Sequence, residues 1–168
     1  MALPASSAHQ AASAHHPKSG GLDLRASKVT KNTGVRRYER GEHRRKHLGS
    51  SERPEIAIST DGEPIGLCPK HLPLDRRQNM LDNAVPHLTR SPYSQAFPKR
   101  LYAVDIDGAI YTGQTSNLGA SYHGYPYAGP MGKRLIAALR EVAQKQNCAT
   151  EFEKWLKRYV TLGGPPDL

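Results

Sequence analysis

The stretch Leu101-Tyr102-Ala103-Val104-Asp105-Ile106-Asp107-Gly108-Ala109-Ile110-Tyr111-Thr112 decides the fold. Tyr102, Val104 and Ile106 alternate with Leu101, Ala103 and Asp105, so one face is the more apolar, as a half-buried antiparallel strand requires. Asp107-Gly108 supplies the turn, because both residues tolerate positive φ, and residues 109–112 return as the partner strand. Asp107 reads as the turn residue and Asp105 as a solvated strand position. Two residues apart on one face, the two carboxylates could also hold a cation.

Upstream, Ile56, Ala57 and Ile58 lead into Asp61-Gly62, a second hairpin signal, and Ile65 to Cys68 return until Pro69 ends the strand. Pro73 suits a first helical position. Leu74, Met80, Leu81 and Val85 then share one face of a helix over residues 73–85, with Arg76 and Arg77 outside. Pro86 stops that helix, and residues 86–99, with three prolines, read as an extended connection. Downstream, residues 113–132 read as a long loop rich in Gly and Tyr. Leu135, Ile136, Leu139, Val142 and Ala143 form a helical stripe over 131–147. Thr150 with Glu153 is a capping box for a last helix carrying Phe152, Trp155, Leu156 and Tyr159. The expected fold is α+β: two β-hairpins, joined in one small antiparallel sheet, packed against helices.

The chain has 168 residues, with 37% hydrophobic residues and a net charge of +9. Residues 1–53 hold 11 Lys and Arg against 4 Asp and Glu, a net of +7; residues 54–168 hold 13 against 11, a net of +2. The basic character therefore belongs to the N-terminal part. Residues 1–24 carry little that could offset ordering entropy, so residues 1–53 are expected to be a disordered basic tail and residues 54–168 a single domain. A basic arm suits polyanions. Arg36, Arg37, Arg40, Arg44, Arg45 and Lys46 are its best candidates for phosphate contacts, each of which makes binding salt-sensitive. No segment is long and apolar enough to span a membrane, and the first 20 residues lack the apolar run of a secretory signal. Two cysteines, Cys68 and Cys148, are too few for a disulfide framework, and a reduced, cytoplasmic pair is the expectation.

The chemistry, where there is any, points to Ser121-Tyr122-His123-Gly124-Tyr125-Pro126-Tyr127. Glycine lets a ligand approach the backbone, and Tyr125 and Tyr127 offer flat faces on which bases could stack. His123 could act as general acid or base near neutral pH, supported by Tyr122. Lys133 and Arg134 follow at a helix start, where an anion is favoured. Together these could bind and cleave a phosphodiester without metal. Cys68 and His71 have a C-x2-H spacing that His87 and Cys148 could complete, but no second paired spacing supports a metal site, and none is assigned. No P-loop, dinucleotide fingerprint or serine-nucleophile elbow is present.

Leu101-Tyr102-Ala103, followed by Tyr111-Thr112-Gly113 and Gln114-Thr115-Ser116-Asn117-Leu118, resembles the GIY-YIG nucleases over about 20 residues. The resemblance implies that Tyr102 and Tyr111 shape an active site, and that a glutamate, for which Glu141 is the nearest candidate, would hold magnesium. Ser121 stands where that family has its phosphate-binding arginine. The Cys-Pro segment and the Ser-Tyr-His-Gly-Tyr-Pro loop also look like small bacterial proteins without an assigned activity.

The functional expectation is a nucleic-acid-associated bacterial protein, a small nuclease or toxin-like effector, with DNA versus RNA open. No cofactor is expected, with magnesium only on the GIY-YIG reading. The alternative is a non-enzymatic interaction module or secreted effector that binds a protein partner through its Tyr-rich loop.

Overall fold

Buried apolar and β-branched residues make the pair β4 (Arg100–Val104) and β5 (Ile110–Gln114) the centre of the fold. In this computed structural model, residues 35–40, 45–87 and 91–163 are described. β4 and β5 pair antiparallel with Ala103 opposite Tyr111. β3 (Val85–His87) flanks β4 and β6 (His123–Pro126) flanks β5, giving a four-stranded antiparallel sheet in the order β3-β4-β5-β6. Helix α1 (Leu74–Asp82) packs against the sheet, as does α2 (Lys133–Lys145), which pairs with α3 (Ala149–Tyr159). The fold is α+β.

Several local expectations are corrected. The hairpin β1 (Glu55–Ile58) with β2 (Pro64–Leu67) forms its own two-stranded sheet rather than extending the main one. Its Gly66 lies so close to the Pro126 carbonyl of β6 that a Cβ there would collide with it. Helix α1 stops at Asp82, which frees Val85 to begin a strand across a segment expected to be helix end and connection. The 113–132 segment is no structureless loop, since it contains β6 and β7 (Gly129–Met131). The Thr150–Glu153 capping box does not form. Cys148 precedes α3 without a side-chain cap, and Glu153 pairs with Arg140 of α2. After α3 the chain enters β8 (Val160–Leu162), parallel to β7.

Leu101, Tyr102, Ala103 and Val104 are all buried, so β4 has no solvated face. Asp105, expected to be solvated, has a fully buried side chain. The cation it holds is the Arg76 guanidinium, which donates from Nε to Oδ1 at 2.7 Å and from Nη2 to Oδ2 at 2.8 Å. The same Nη2 donates to Asp107 at 2.7 Å. The turn closes with Asp105 N–H on the Ala109 carbonyl and Gly108 N–H on the Asp105 carbonyl. Gly108 has φ +77° and abuts Phe152 of α3, so neither its conformation nor its surroundings admit a side chain.

The boundary expected at residue 53 does not mark where packing starts. Tyr122 N–H donates to the Arg37 carbonyl at 2.9 Å, and Glu39 N–H to the Tyr122 carbonyl at 2.8 Å. A second segment, with a single 3-10 turn at Arg45–His47, runs parallel beside Cys68. There Cys68 N–H donates to His47 O and Gly49 N–H to Cys68 O. Arg36 donates to the carbonyls of Leu81 and Ala84 at 3.2 Å and of Ala96 at 3.0 Å. A cation on carbonyls at the end of α1 is favourable both as a hydrogen-bond donor and against the helix dipole. Arg36 is thus committed inside the fold. The expectations for residues 1–34 and for Arg44 lie outside the described residues.

Burial pushes the Asp105 carboxyl above its usual range, and the Arg76 guanidinium opposes that rise. Without Arg76 a carboxylate stays buried and unpaired, so Arg76→Ala should destabilise the protein by roughly 3–5 kcal/mol. A carboxyl whose folded pKa is raised loses stability as pH climbs through that pKa. The deficit should therefore be largest at neutral pH and shrink as pH falls and Asp105 becomes neutral. Urea unfolding of both proteins from pH 4 to 8 measures this.

Candidate functional site

The residues that β6 presents at its outer edge meet those of the two N-terminal segments, and a cleft of about 650 Å³ opens between them. Pockets that enclose small ligands span roughly 300–1,000 Å³. It is lined by Tyr38 and Arg40, by His47 and Leu48, by Lys70, His71 and Leu72, and by Arg77, Cys68, His123 and Tyr125. Three side chains are cationic, three are imidazoles, and among the described residues no carboxylate lines the cleft.

His47 stacks on Tyr125 with centroids 4.2 Å apart and planes 9° from parallel. His47 Nδ1 lies 2.8 Å from the Gly66 carbonyl, an oxygen that can only accept, so Nδ1 carries the proton and the neutral ring keeps its lone pair on Nε2. His71 Nδ1 lies 2.9 Å from Glu52 Oε1, both side chains about two-thirds exposed. Arg77 is half-buried; its Nη1 donates to the Tyr38 hydroxyl at 3.3 Å and its guanidinium sits 5.5 Å from that ring's centroid. Its buried Nε has no hydrogen-bond partner, and among the described residues no carboxylate pairs with it. Burial raises the Tyr38 hydroxyl pKa and pushes the Cys68 thiol up to about 11, with Arg77 opposing both. The Cys68 thiol therefore stays protonated at neutral pH.

A smaller cavity of about 30 Å³ adjoins the cleft, with Tyr38, Cys68, Arg77 and His123 among the residues that line both. That is room for a water or two. Tyr111, whose buried hydroxyl has no partner, lines it.

No protein family, curated protein or solved structure matches this chain. The site is therefore read from its own chemistry.

The expected Tyr/His cluster is only partly assembled. His123 joins both cavities, but its Nε2 is closed off from solvent. Tyr122 is fully buried and donates to the Pro98 carbonyl at 2.7 Å, a structural bond. Tyr127 packs edge-on to Tyr102 at 5.1 Å and donates to the Pro130 carbonyl at 2.6 Å. Tyr125 alone among the loop tyrosines lines the cleft. Lys133 and Arg134 sit exposed in the first turn of α2 and do not line it. Tyr102 and Tyr111, which carry the GIY-YIG resemblance, are buried on adjacent strands.

Of the basic segment, Arg40 lines the cleft, Arg37 and Lys46 are exposed, and Arg45 opens the 3-10 turn. Cys68, His71, His87 and Cys148 are not gathered: Cys148 Sγ donates to the Asp105 carbonyl under α3, and His87 packs against Tyr102. Among the described residues no cluster of three metal-ligating side chains forms, and no helix is long and apolar enough to cross a membrane. Sequence reasoning missed Tyr38, His47, Lys70 and Arg77 as site residues. Their convergence depends on a chain crossing that carries no periodic signal.

Two buried tyrosines should respond oppositely to loss of the hydroxyl. Tyr122→Phe strands the Pro98 carbonyl and should cost about 1–3 kcal/mol. Tyr111→Phe removes an unpartnered polar atom and should be neutral or stabilising. Thermal or urea denaturation of the two variants decides between these roles.

Proposed function

We propose that the cleft binds a strand of nucleic acid, with phosphates on Arg77, Lys70 and Arg40 and a base against the His47–Tyr125 pair. The observation that carries this is Arg77. A guanidinium taken partly out of water needs a counter-charge. The neighbouring Arg76 has two carboxylates, whereas Arg77 has a phenol, a tyrosine face and an open cleft. Arg40 and Lys70 around the same space add positive potential, which a polyanion would meet. Flat aromatic rings beside a cationic groove are the combination that single strands use, since every base has a π-face.

This reading moves the interface from an N-terminal tail to the folded body, with Arg40 common to both. The outcome can be read from salt dependence. Each lost phosphate contact should flatten the slope of log affinity against log salt by about 0.7 on a single strand. Binding of labelled single-stranded RNA and DNA should weaken, with a flatter slope, in the full-length triple variant Arg40→Gln/Lys70→Gln/Arg77→Gln. The control triple variant Arg25→Gln/Lys28→Gln/Lys31→Gln removes the same charge elsewhere. If the control loses more binding than the cleft variant, the tail is the interface and the cleft reading fails.

A further inference from the structure

Resting on the reading of the cleft as a nucleic-acid site, we propose that a single strand bound there continues across the face of the four-stranded sheet, where Arg100 holds a further phosphate. The first observation is register. Arg100 of β4 stands directly opposite Gln114 of β5, and Gln114 directly opposite His123 of β6. Side chains directly opposite one another share a face of a sheet, as do those two residues apart on one strand. Tyr125 therefore lies on that face too. His123 and Tyr125 both line the cleft, and the Gln114 amide donates to the Tyr125 hydroxyl at 3.0 Å. The row that ends in the cleft thus begins at Arg100.

The second observation is exposure. Arg100, Gln114, His123 and Tyr125 are all partly exposed. Tyr102 and Thr112, on the same face but nearer the β4–β5 turn, are buried. The face is therefore closed toward the turn and accessible along the row that leads from the cleft. The third is charge. Among the described residues no carboxylate pairs with Arg100, whereas Arg76 and Arg140 both have one. Its buried Nε has no hydrogen-bond partner. The Arg100 charge lowers the pKa of the Tyr127 hydroxyl, but burial raises it by more, so that phenol stays neutral and supplies no counter-charge. Like Arg77, Arg100 is a cation held partly out of water with no anion of the protein beside it, and a phosphate would supply one.

Neighbouring strands lie about 4.8 Å apart, so β4 is roughly 10 Å from β6. Stacked nucleotides rise about 3.4 Å along one strand, so this span takes about three of them, and fewer when the strand is extended. A strand that only fills the cleft stops short of Arg100. A longer one crosses β6 beside Tyr125 and meets a fourth cation on the sheet.

The experiment uses the full-length protein with single-stranded RNA and DNA of about 4 and about 12 nucleotides, lacking terminal phosphates, over a series of salt concentrations. The shorter strands have phosphates for the three cleft cations and none to spare; their affinity is read by competition against the longer ones. On the longer strands Arg100→Gln should weaken binding and flatten the slope of log affinity against log salt by about 0.7, the share of one phosphate contact. On the shorter strands it should change neither. Arg100→Lys, which keeps the charge, should restore the slope. Should Arg100→Gln melt well below the parent protein, Gln114→Glu takes its place: the Tyr125 hydroxyl can donate to the new carboxylate, and the negative charge on the row should weaken the longer strands more than the shorter. An unchanged slope on the longer strands, an equal loss at both lengths from either variant, or a loss that Arg100→Lys does not restore would each overturn the inference and leave the cleft reading standing. Failure of the parent protein to bind any strand would remove the cleft reading and this inference together.

Discussion

The bond of Arg76 to Asp105 fixes where everything else can go. Asp105 closes the β4–β5 turn with its backbone and is fully buried through its side chain, a position that costs several kcal/mol for a lone carboxylate. Two parallel guanidinium bonds, with Asp107 as a third acceptor, offset that cost and tie α1 to the end of the central hairpin. Successive residues on a helix point about 100° apart. With Arg76 held toward the hairpin, Arg77 is turned to the other side, where Tyr38 and the cleft lie. A structural ion pair thus sets the direction of the residue that carries the functional reading.

The two arginines illustrate how context decides the meaning of a charge. Both look alike in the sequence, adjacent on the polar side of a short helix. One neutralises buried carboxylates and is a stability element. The other is half-buried with a phenol and an aromatic face around it and an unpartnered Nε. Arg36 adds a third fate, since its guanidinium closes the carbonyl end of α1 and is spent on backbone oxygens. Counting basic residues in the N-terminal part overstates what is left for a ligand.

The central hairpin, the α2–α3 pair and the α+β class were legible because local pattern and local turn chemistry agree there: strands with Asp-Gly between them, and apolar stripes at helical spacing. What was not legible was set by long-range contact. Val85 reads as the last apolar residue of a helical face, yet it pairs with Tyr102 once Asn83 ends α1. Asp105 reads as solvated because strand alternation knows nothing of an arginine 29 residues earlier. His123 and Tyr125 were found from composition, and both reach the cleft. Tyr38 and His47 were not, since their segments look like solvated linker until a strand edge is present to receive them.

That edge is the deeper reason the cleft exists. β6 is the outer strand of the main sheet, with one side of its backbone paired to β5. Exposed edges invite pairing with other chains and are commonly covered by the protein's own loops. Here the cover around Tyr122 is the segment at 37–39, joined by two hydrogen bonds, and the hairpin β1–β2 closes over Pro126. Between these two covers the chain at 123–125 lines the cleft. The segment at 35–40 brings Tyr38 and Arg40 to it and the segment at 45–49 brings His47, whereas the hairpin that closes over Pro126 is acidic, with Glu55, Asp61 and Glu63. The rings and the Arg40 charge of the cleft thus arrive with the chain that lies along the strand edge, and not with the hairpin.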